Sequence, residues 1–235
     1  MKNDHIYFIG IKGTGMAALA GICHDLGYIV SGSDLPDHFF TEEGLRKRGI
    51  PIYTFSAENV PTDAIVVKGN AFSNEHIEVK EAEKKNLKIY SYHEFLGKLI
   101  EPYRSIAVSG SHGKTTTSTM LRDMMAYSQK TAYLIGDGRG HVSEFDQYFV
   151  LEACEYRRHF LEYKPEMAIM TNFEIDHVDY FKSEEDYLRA YEDFSRNVKE
   201  LLVVWGEDPH FSKLNLKTPR VWTYGFTKYM DISAQ

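Results

Sequence analysis

Short apolar, β-branched runs alternate along the chain with stretches in which hydrophobic residues recur every three to four positions. The runs predict strands at 5–11, 28–33, 52–55, 64–68, 88–91, 105–109, 132–135, 148–153, 167–171, 201–205 and 221–224. The helical spacing predicts helices at 14–26, 42–48, 77–86, 114–127 and 183–198. In the last of these, Ser183 and Asp186 stand at capping-box spacing, and Tyr187, Leu188, Tyr191 and Phe194 recur on one face. Strands alternating with helices of this length imply an α/β protein with parallel sheets covered by helices.

A helix ends at Pro102 within Glu101-Pro102-Tyr103-Arg104, and a buried-strand pattern starts at Ser105. The expected domains are therefore 1–103 and 104–235. Beyond Trp205 the pattern offers a short helix at 209–214, one strand, and the start of another at Met230 before the chain ends at Gln235. That finish is expected of a piece of a longer protein. No internal repeat or low-complexity tract interrupts the pattern.

Composition narrows the picture without changing it. With 43% hydrophobic and 26% charged residues, the 235-residue chain reads as a soluble globular protein. No run reaches the ~18 apolar residues that span a bilayer. The segment MKNDHIYFIG enters a strand within four residues and leaves no room for a signal peptide, so the cytoplasm is the expected compartment. A formal net charge of −7 argues against a general nucleic-acid binder, which needs a basic face. Anionic ligands must then be held by backbone N–H groups and single lysines. The two cysteines, Cys23 and Cys154, match no metal or redox spacing and read as packed thiols.

Two glycine loops carry the chemistry. In the first, Gly13-x-Gly15-x-x-Ala18 follows a strand and opens a helix, and Asp34 ends the next strand. The arrangement suits a diphosphate at a helix N-terminus around Gly13, Thr14 and Gly15, with Asp34 able to meet a ribose hydroxyl. The alternative is a purely structural turn. In the second loop, Gly110-Ser111-His112-Gly113-Lys114-Thr115-Thr116 joins a strand to a helix. The common phosphate-loop form would place a first glycine where this chain has Val108. N–H groups from Gly110 to Lys114 would cradle phosphates, Lys114 would reach the β- and γ-phosphates, and Thr115 would ligate Mg²⁺. Downstream, Glu152-Ala-Cys-Glu155 and Asn172-Phe-Glu174-Ile-Asp176-His177-Val-Asp179 follow strand ends, where a doubly wound sheet presents its ligands. Their oxygens and an imidazole suit a hard cation beside phosphates.

The segments GIKGTGM (10–16), SGSD (31–34), IAVSGSHGKTTT (106–117), LEACEYRRHF (151–160), TNFEIDHVDYF (171–181) and VVWGEDPH (203–210) together resemble the Mur ligase family, over essentially the whole chain. The family's ATP loop is the shorter G-x-x-G-K-T form, so Val108 is no defect. The resemblance implies a Rossmann-like UDP-sugar domain followed by an incomplete ATP-binding central domain. It implies ATP and Mg²⁺ as cofactors and places the chain nearest the branch that adds L-alanine to UDP-N-acetylmuramate through an acyl phosphate, in peptidoglycan precursor synthesis. Lys114 and Thr115 match the family's ATP and Mg²⁺ residues. Glu152 and His177 match a carboxylate and an imidazole at a second Mg²⁺, and Asn172 matches the asparagine of a T-N motif. No role carries over to Glu155, and Arg157 and Arg158 read as a solvated basic face. A complete Mur ligase has a longer central domain and a third domain. The resemblance therefore implies a chain that keeps UDP-sugar affinity, has a half-built ATP site, and does not turn over alone.

The cell-wall recycling branch, which adds a tripeptide instead, is the nearest alternative. A non-catalytic UDP-sugar-binding module is the alternative of another class. A dinucleotide dehydrogenase would leave 110–117 unexplained.

Overall fold

A computed structural model describes residues 4–234. Contact density divides the chain into two compact units, one of residues up to 98 together with 132–146, the other of 99–131 together with residues from 147 onward.

The first unit holds a five-stranded parallel sheet in the order β3-β2-β1-β4-β5. Its strands are β1 (His5–Ile9), β2 (Ile29–Asp34), β3 (Ile52–Thr54), β4 (Ile65–Lys68) and β5 (Lys88–Ser91). The helices α1 (Thr14–Asp25), α2 (Glu42–Lys47), α3 (Ile77–Lys84) and α4 (Tyr92–Ile100) alternate with them, and α4 ends two residues before Pro102. Strand β1 stops two residues before the predicted end because Gly10 turns the chain at φ +83°. Tyr7, Ile9, Val60, Val66, Val79 and Ala82 form a buried cluster on one side of this sheet. Glu78 is buried beside it and accepts hydrogen bonds from the Tyr7 hydroxyl (3.0 Å), the Ser56 amide (3.0 Å) and the Ser33 hydroxyl, so this buried carboxylate is well satisfied.

The second unit contains six parallel strands in the order β13-β12-β11-β10-β6-β9. They are β6 (Arg104–Ser109), β9 (Tyr148–Glu152), β10 (Met167–Met170), β11 (Leu201–Trp205), β12 (Val221–Gly225) and β13 (Ile232–Ser233). Ile106, Ala107, Val108, Phe149, Val150 and Leu151 are all buried, as expected of parallel strands covered on both faces. Helix α5 (Lys114–Ala126) follows β6, and α6 (Glu184–Ser195) follows β10. The predicted cap is present: the Ser183 side chain accepts from the Asp186 amide at 3.2 Å. The predicted aromatic face of α6 is buried, with Phe160 stacked on Phe194 (4.6 Å) and set edge-on to Tyr191 (5.4 Å).

The chain division expected near residue 103 and the compact grouping differ by one excursion. Strands β7 (Thr131–Leu134) and β8 (Gly140–His141) form an antiparallel hairpin, and residues 132–146 group with the first unit. Small residues permit this. A Cβ at Gly138 would meet Thr14 Cγ2 at 2.8 Å, and one at Gly140 would meet Ile22 Cδ1 at 3.1 Å, so the hairpin lies tightly along α1. Among the described residues no helix is long and apolar enough to cross a membrane.

Candidate functional site

In the second unit, β6 runs parallel between β10 and β9, with Ser109 beside Met170 and Val108 beside Glu152. The loops that leave these three strands therefore emerge at one end of the sheet, where open α/β folds bind ligands. Gly110 has φ +131°, and a Cβ there would lie 2.1 Å from Thr171 Oγ1, so only glycine fits. The end of β10 grips the loop in return. Thr171 Oγ1 donates to His112 O (2.7 Å), Asn172 Nδ2 donates to His112 O (2.9 Å), and Asn172 Oδ1 accepts from the His112 amide (2.9 Å). The Ser111 amide donates to Asn172 O (3.2 Å). The Ser111 hydroxyl donates to Glu174 O and lies 2.6 Å from the Tyr187 hydroxyl, which is 3.1 Å from that of Tyr191. Burial pushes the Tyr187 phenol up to about 12 and that of Tyr191 well above its ordinary value, so both keep their protons.

This bracing changes the expected cradle. The Ser111 and His112 amides are spent on Asn172 and do not face a phosphate. The donors that no helical carbonyl can satisfy are instead those of the first turn of α5, at Lys114, Thr115 and Thr116. Asn172, expected at the nucleotide, is a strut of the loop in this structure, because its short amide spans the gap to His112 with both its oxygen and its nitrogen.

Lys114 is directed inward. Its Nζ donates to Gly110 O (2.5 Å), Ser111 O (3.2 Å) and both oxygens of Glu155 (3.1 and 3.3 Å). The Glu155 side chain is 0% exposed and that of Lys114 17%. On the adjoining turn, Thr115 Oγ1 donates to Glu152 Oε2 at 3.2 Å. His177 has φ +56°, its amide held by Asp176 Oδ1 (2.6 Å), and its Nε2 lies 3.6 Å from Glu155 Oε1. Tyr156 covers the imidazole with ring centroids 4.5 Å apart. Arg157 and Arg158 also adopt left-handed backbone (φ +51° and +60°), so three non-glycine residues around this carboxylate sit in a sparsely populated conformation, as functional sites often require.

Of the expected metal residues, Thr115 and Glu152 come together, whereas His177 turns to Glu155. The ligand atoms of Cys154, Glu155 and His177 lie within 4.8 Å of one another, a group that does not include Glu152. Burial, then the neighbouring Glu155, pushes the Cys154 thiol up, so it is a protonated and poor ligand near neutral pH. Arg158 is no solvated residue. It donates to Asp186 Oδ1 (2.7 Å) and the Asp186 carbonyl (3.1 Å), and lies over the Phe181 ring, because the left-handed turn aims it at α6.

The loop of the first unit is built differently. Gly10 has φ +83°, and a Cβ there would meet the Phe72 ring at 2.2 Å. The demanding glycine of this loop is thus Gly10, ahead of the Gly13 and Gly15 of the sequence pattern. Lys12 is 5% exposed, and its Nζ meets Leu35 O (2.7 Å), Asp37 O (2.8 Å) and Glu42 Oε1 (2.8 Å), which uses all three of its protons. Asp34, expected at a ribose, accepts instead from the amides of Lys12 (2.7 Å) and Leu35 (2.8 Å), because it is buried directly under the loop. Gly13, Thr14 and Gly15 lead into α1, whose first turn has no acidic residue and no side-chain cap, an electropositive end suited to an anion.

A sequence model of the Mur ligase family, catalytic domain, matches residues 5–104, and one of the Mur ligase middle domain matches residues 108–235. The chain belongs to the Mur ligase family. Among solved structures it is similar to the UDP-N-acetylmuramate:L-alanyl-gamma-D-glutamyl-meso-diaminopimelate ligase of Neisseria meningitides, with 26% identity and a TM-score of 0.84 over 97% of this chain and 79% of that one. It is also similar to the UDP-N-acetylmuramate-alanine ligase MurC of Thermotoga maritima, with 29% identity and a TM-score of 0.81 over 95% of this chain and 53% of that one. A murein peptide ligase of Psychrobacter arcticus shares the fold at 24% identity and a TM-score of 0.77, over 94% of this chain and 53% of that one. This Mur ligase chain thus spans about half the length of the latter two.

Within this Mur ligase, Glu155 stood among the residues expected to suit a hard cation, but the resemblance gave it no role of its own. Its place after a strand end marked it as a candidate ligand, and nothing local told that its partner lay 41 residues away in Lys114. The donors present fit a hard cation next to phosphates: the Thr115 hydroxyl touching the Glu152 carboxylate, and the Glu155 carboxylate beside His177.

Proposed function

We propose that this Mur ligase adds L-alanine to the lactyl carboxylate of UDP-N-acetylmuramate, for peptidoglycan precursor synthesis. The observation that carries the reading is the braced Gly110–Thr116 loop, with Lys114, Thr115–Glu152 and His177–Glu155 gathered at the ends of three adjacent parallel strands.

ATP with Mg²⁺ supplies the γ-phosphoryl group that activates the lactyl carboxylate as an acyl phosphate. Attack of the L-alanine amine on that acyl carbon would form the amide bond, with phosphate as the leaving group. Lys114 and the amides at the start of α5 offset the charge gathering on the transferred group. Thr115 and Glu152 would hold one cation, and His177 beside Glu155 would serve a second. In the first unit, the amides at Thr14 and Gly15 bind the diphosphate of the UDP-sugar. No protein nucleophile is required.

A second reading, addition of a tripeptide to the same acceptor, is favoured by the higher TM-score and coverage of the Neisseria ligase. The 29% identity with MurC and the LEACEYRRHF segment support L-alanine.

Calorimetric titration with UDP-N-acetylmuramate, then with ATP and Mg²⁺, tests the ligand assignment. Saturable UDP-sugar binding is expected, and its loss would remove the reading. Phosphate release by this chain extended with the remaining Mur ligase domains, given UDP-N-acetylmuramate and either L-alanine or the tripeptide, decides the acceptor amine, and release with the tripeptide alone would overturn the L-alanine assignment.

A further inference from the structure

The Glu155 side chain has no solvent contact, and it is paired with a cation, unlike Glu78, which is held by hydroxyl and amide donors. In this structure that cation is Lys114, bound through both carboxylate oxygens. Lys114 is also the only lysine of the loop and, on the proposed reading, must turn to the phosphates. A side chain with one ammonium cannot serve a buried carboxylate and a phosphate chain at full strength together. Among the described residues, the imidazole of His177 also lies beside Glu155 Oε1, 3.6 Å away and charged only when protonated.

We propose that Glu155 is a positioning residue that holds Lys114 in the empty site and releases it only when a divalent cation takes over the carboxylate next to His177. Lys114 is thus an internal stand-in for the metal, and the exchange makes nucleotide binding depend on the cation. The inference rests on the assignment of 110–116 as a nucleotide loop. It goes beyond that assignment in giving Glu155 a role and in predicting where the metal dependence comes from. Metal-free nucleotide must pull Lys114 from a buried partner and leave that partner unpaired, whereas nucleotide arriving with the cation need not. Glutamine at position 155 would keep the shape and a neutral acceptor for Lys114 and would remove the charge that has to be compensated.

The test compares ATP affinity by calorimetry in EDTA and in Mg²⁺ for the wild-type chain and Glu155→Gln, with circular dichroism confirming the fold. Hydrogen bonds to charged groups differ from neutral ones by enough to expect a gain of about tenfold in metal-free ATP affinity in Glu155→Gln. The benefit of Mg²⁺ should shrink by a similar factor. An unchanged ratio between the two buffers would overturn the proposal while leaving the nucleotide site intact. Absence of ATP binding by the wild type in both buffers would instead remove the nucleotide assignment, and the proposal with it.

Should Glu155→Gln fail to fold, the wild-type chain decides by itself. Acylation of Lys114, followed by peptide mass spectrometry against the exposed Lys47 as internal reference, should accelerate several-fold when Mg²⁺ is added without nucleotide. An identical rate with and without Mg²⁺ would sink the exchange.

Discussion

Each of the two glycine loops carries a lysine that faces a buried glutamate, Lys12 with Glu42 in the first unit and Lys114 with Glu155 in the second. Lys12 is saturated by one carboxylate and two carbonyls, and Glu42 has a further partner in Arg46 at 2.8 Å. Neither member depends on the other alone, and the lysine has nowhere else to go. Lys114 keeps a little exposure, and among the described residues Glu155 has no second permanent cation. The same pair of residue types therefore makes a rivet in one loop and a releasable contact in the other. What separates them is the number of alternative partners, which the motif does not encode.

The comparison is most directly broken by removing each lysine. Lys114→Met strands a buried carboxylate and should cost about 3 kcal/mol in urea unfolding. The double variant Lys114→Met/Glu155→Gln should recover most of that loss, since the stranded charge is gone. A single variant as stable as wild type would show that Glu155 never needed Lys114.

Lys12→Met should cost less, about 2 kcal/mol, because Glu42 retains Arg46 and only the Leu35 and Asp37 carbonyls lose their donor. Adding Glu42→Gln should bring no recovery here. Rescue of the kind expected at Glu155 would erase the distinction between the loops.

The smallest expected effect is a pH slope. The hydrogen bond from Lys12, opposed by burial and aided by Arg46, holds Glu42 down at about 2. A carboxylate whose folded value lies below its ordinary 4.5 contributes stability that is complete above 4.5 and is lost as the pH falls toward 2. Glu42→Gln should flatten the stability curve across that interval in acid titrations followed by circular dichroism. A slope equal to that of the wild type would mean that other carboxylates carry it.

How much of this was legible beforehand follows from the range of each interaction. The sheet strands were readable because parallel strands buried on both faces leave unbroken apolar runs, as in Ile106–Ala107–Val108. The start of α6 was readable because its cap lies within three residues, at Ser183 and Asp186. Gly110 and Lys114 were marked by their motif, but the motif did not reveal that Asn172 would occupy the Ser111 and His112 amides from 60 residues away. Asp34 stood at the right spacing for a ribose contact, yet its burial beneath the loop gave it backbone partners. Arg158 was read as solvated because its acidic partner is on another element, 28 residues on. Local signals announced the elements, whereas the roles of the charged groups were set by neighbours distant in sequence.

The hairpin at 132–146 has a consequence for how the protein comes into being. The first unit draws one of its parts from behind the Gly110–Thr116 loop, so a ribosome that has released only the first hundred residues has not yet released all of that unit. Ala18 and Ile22 of α1 wait uncovered until Gly140 has emerged, which is after α5. The two units are therefore completed as a single act of synthesis, and cutting the gene at the apparent boundary would separate the first sheet from a piece of its own surface.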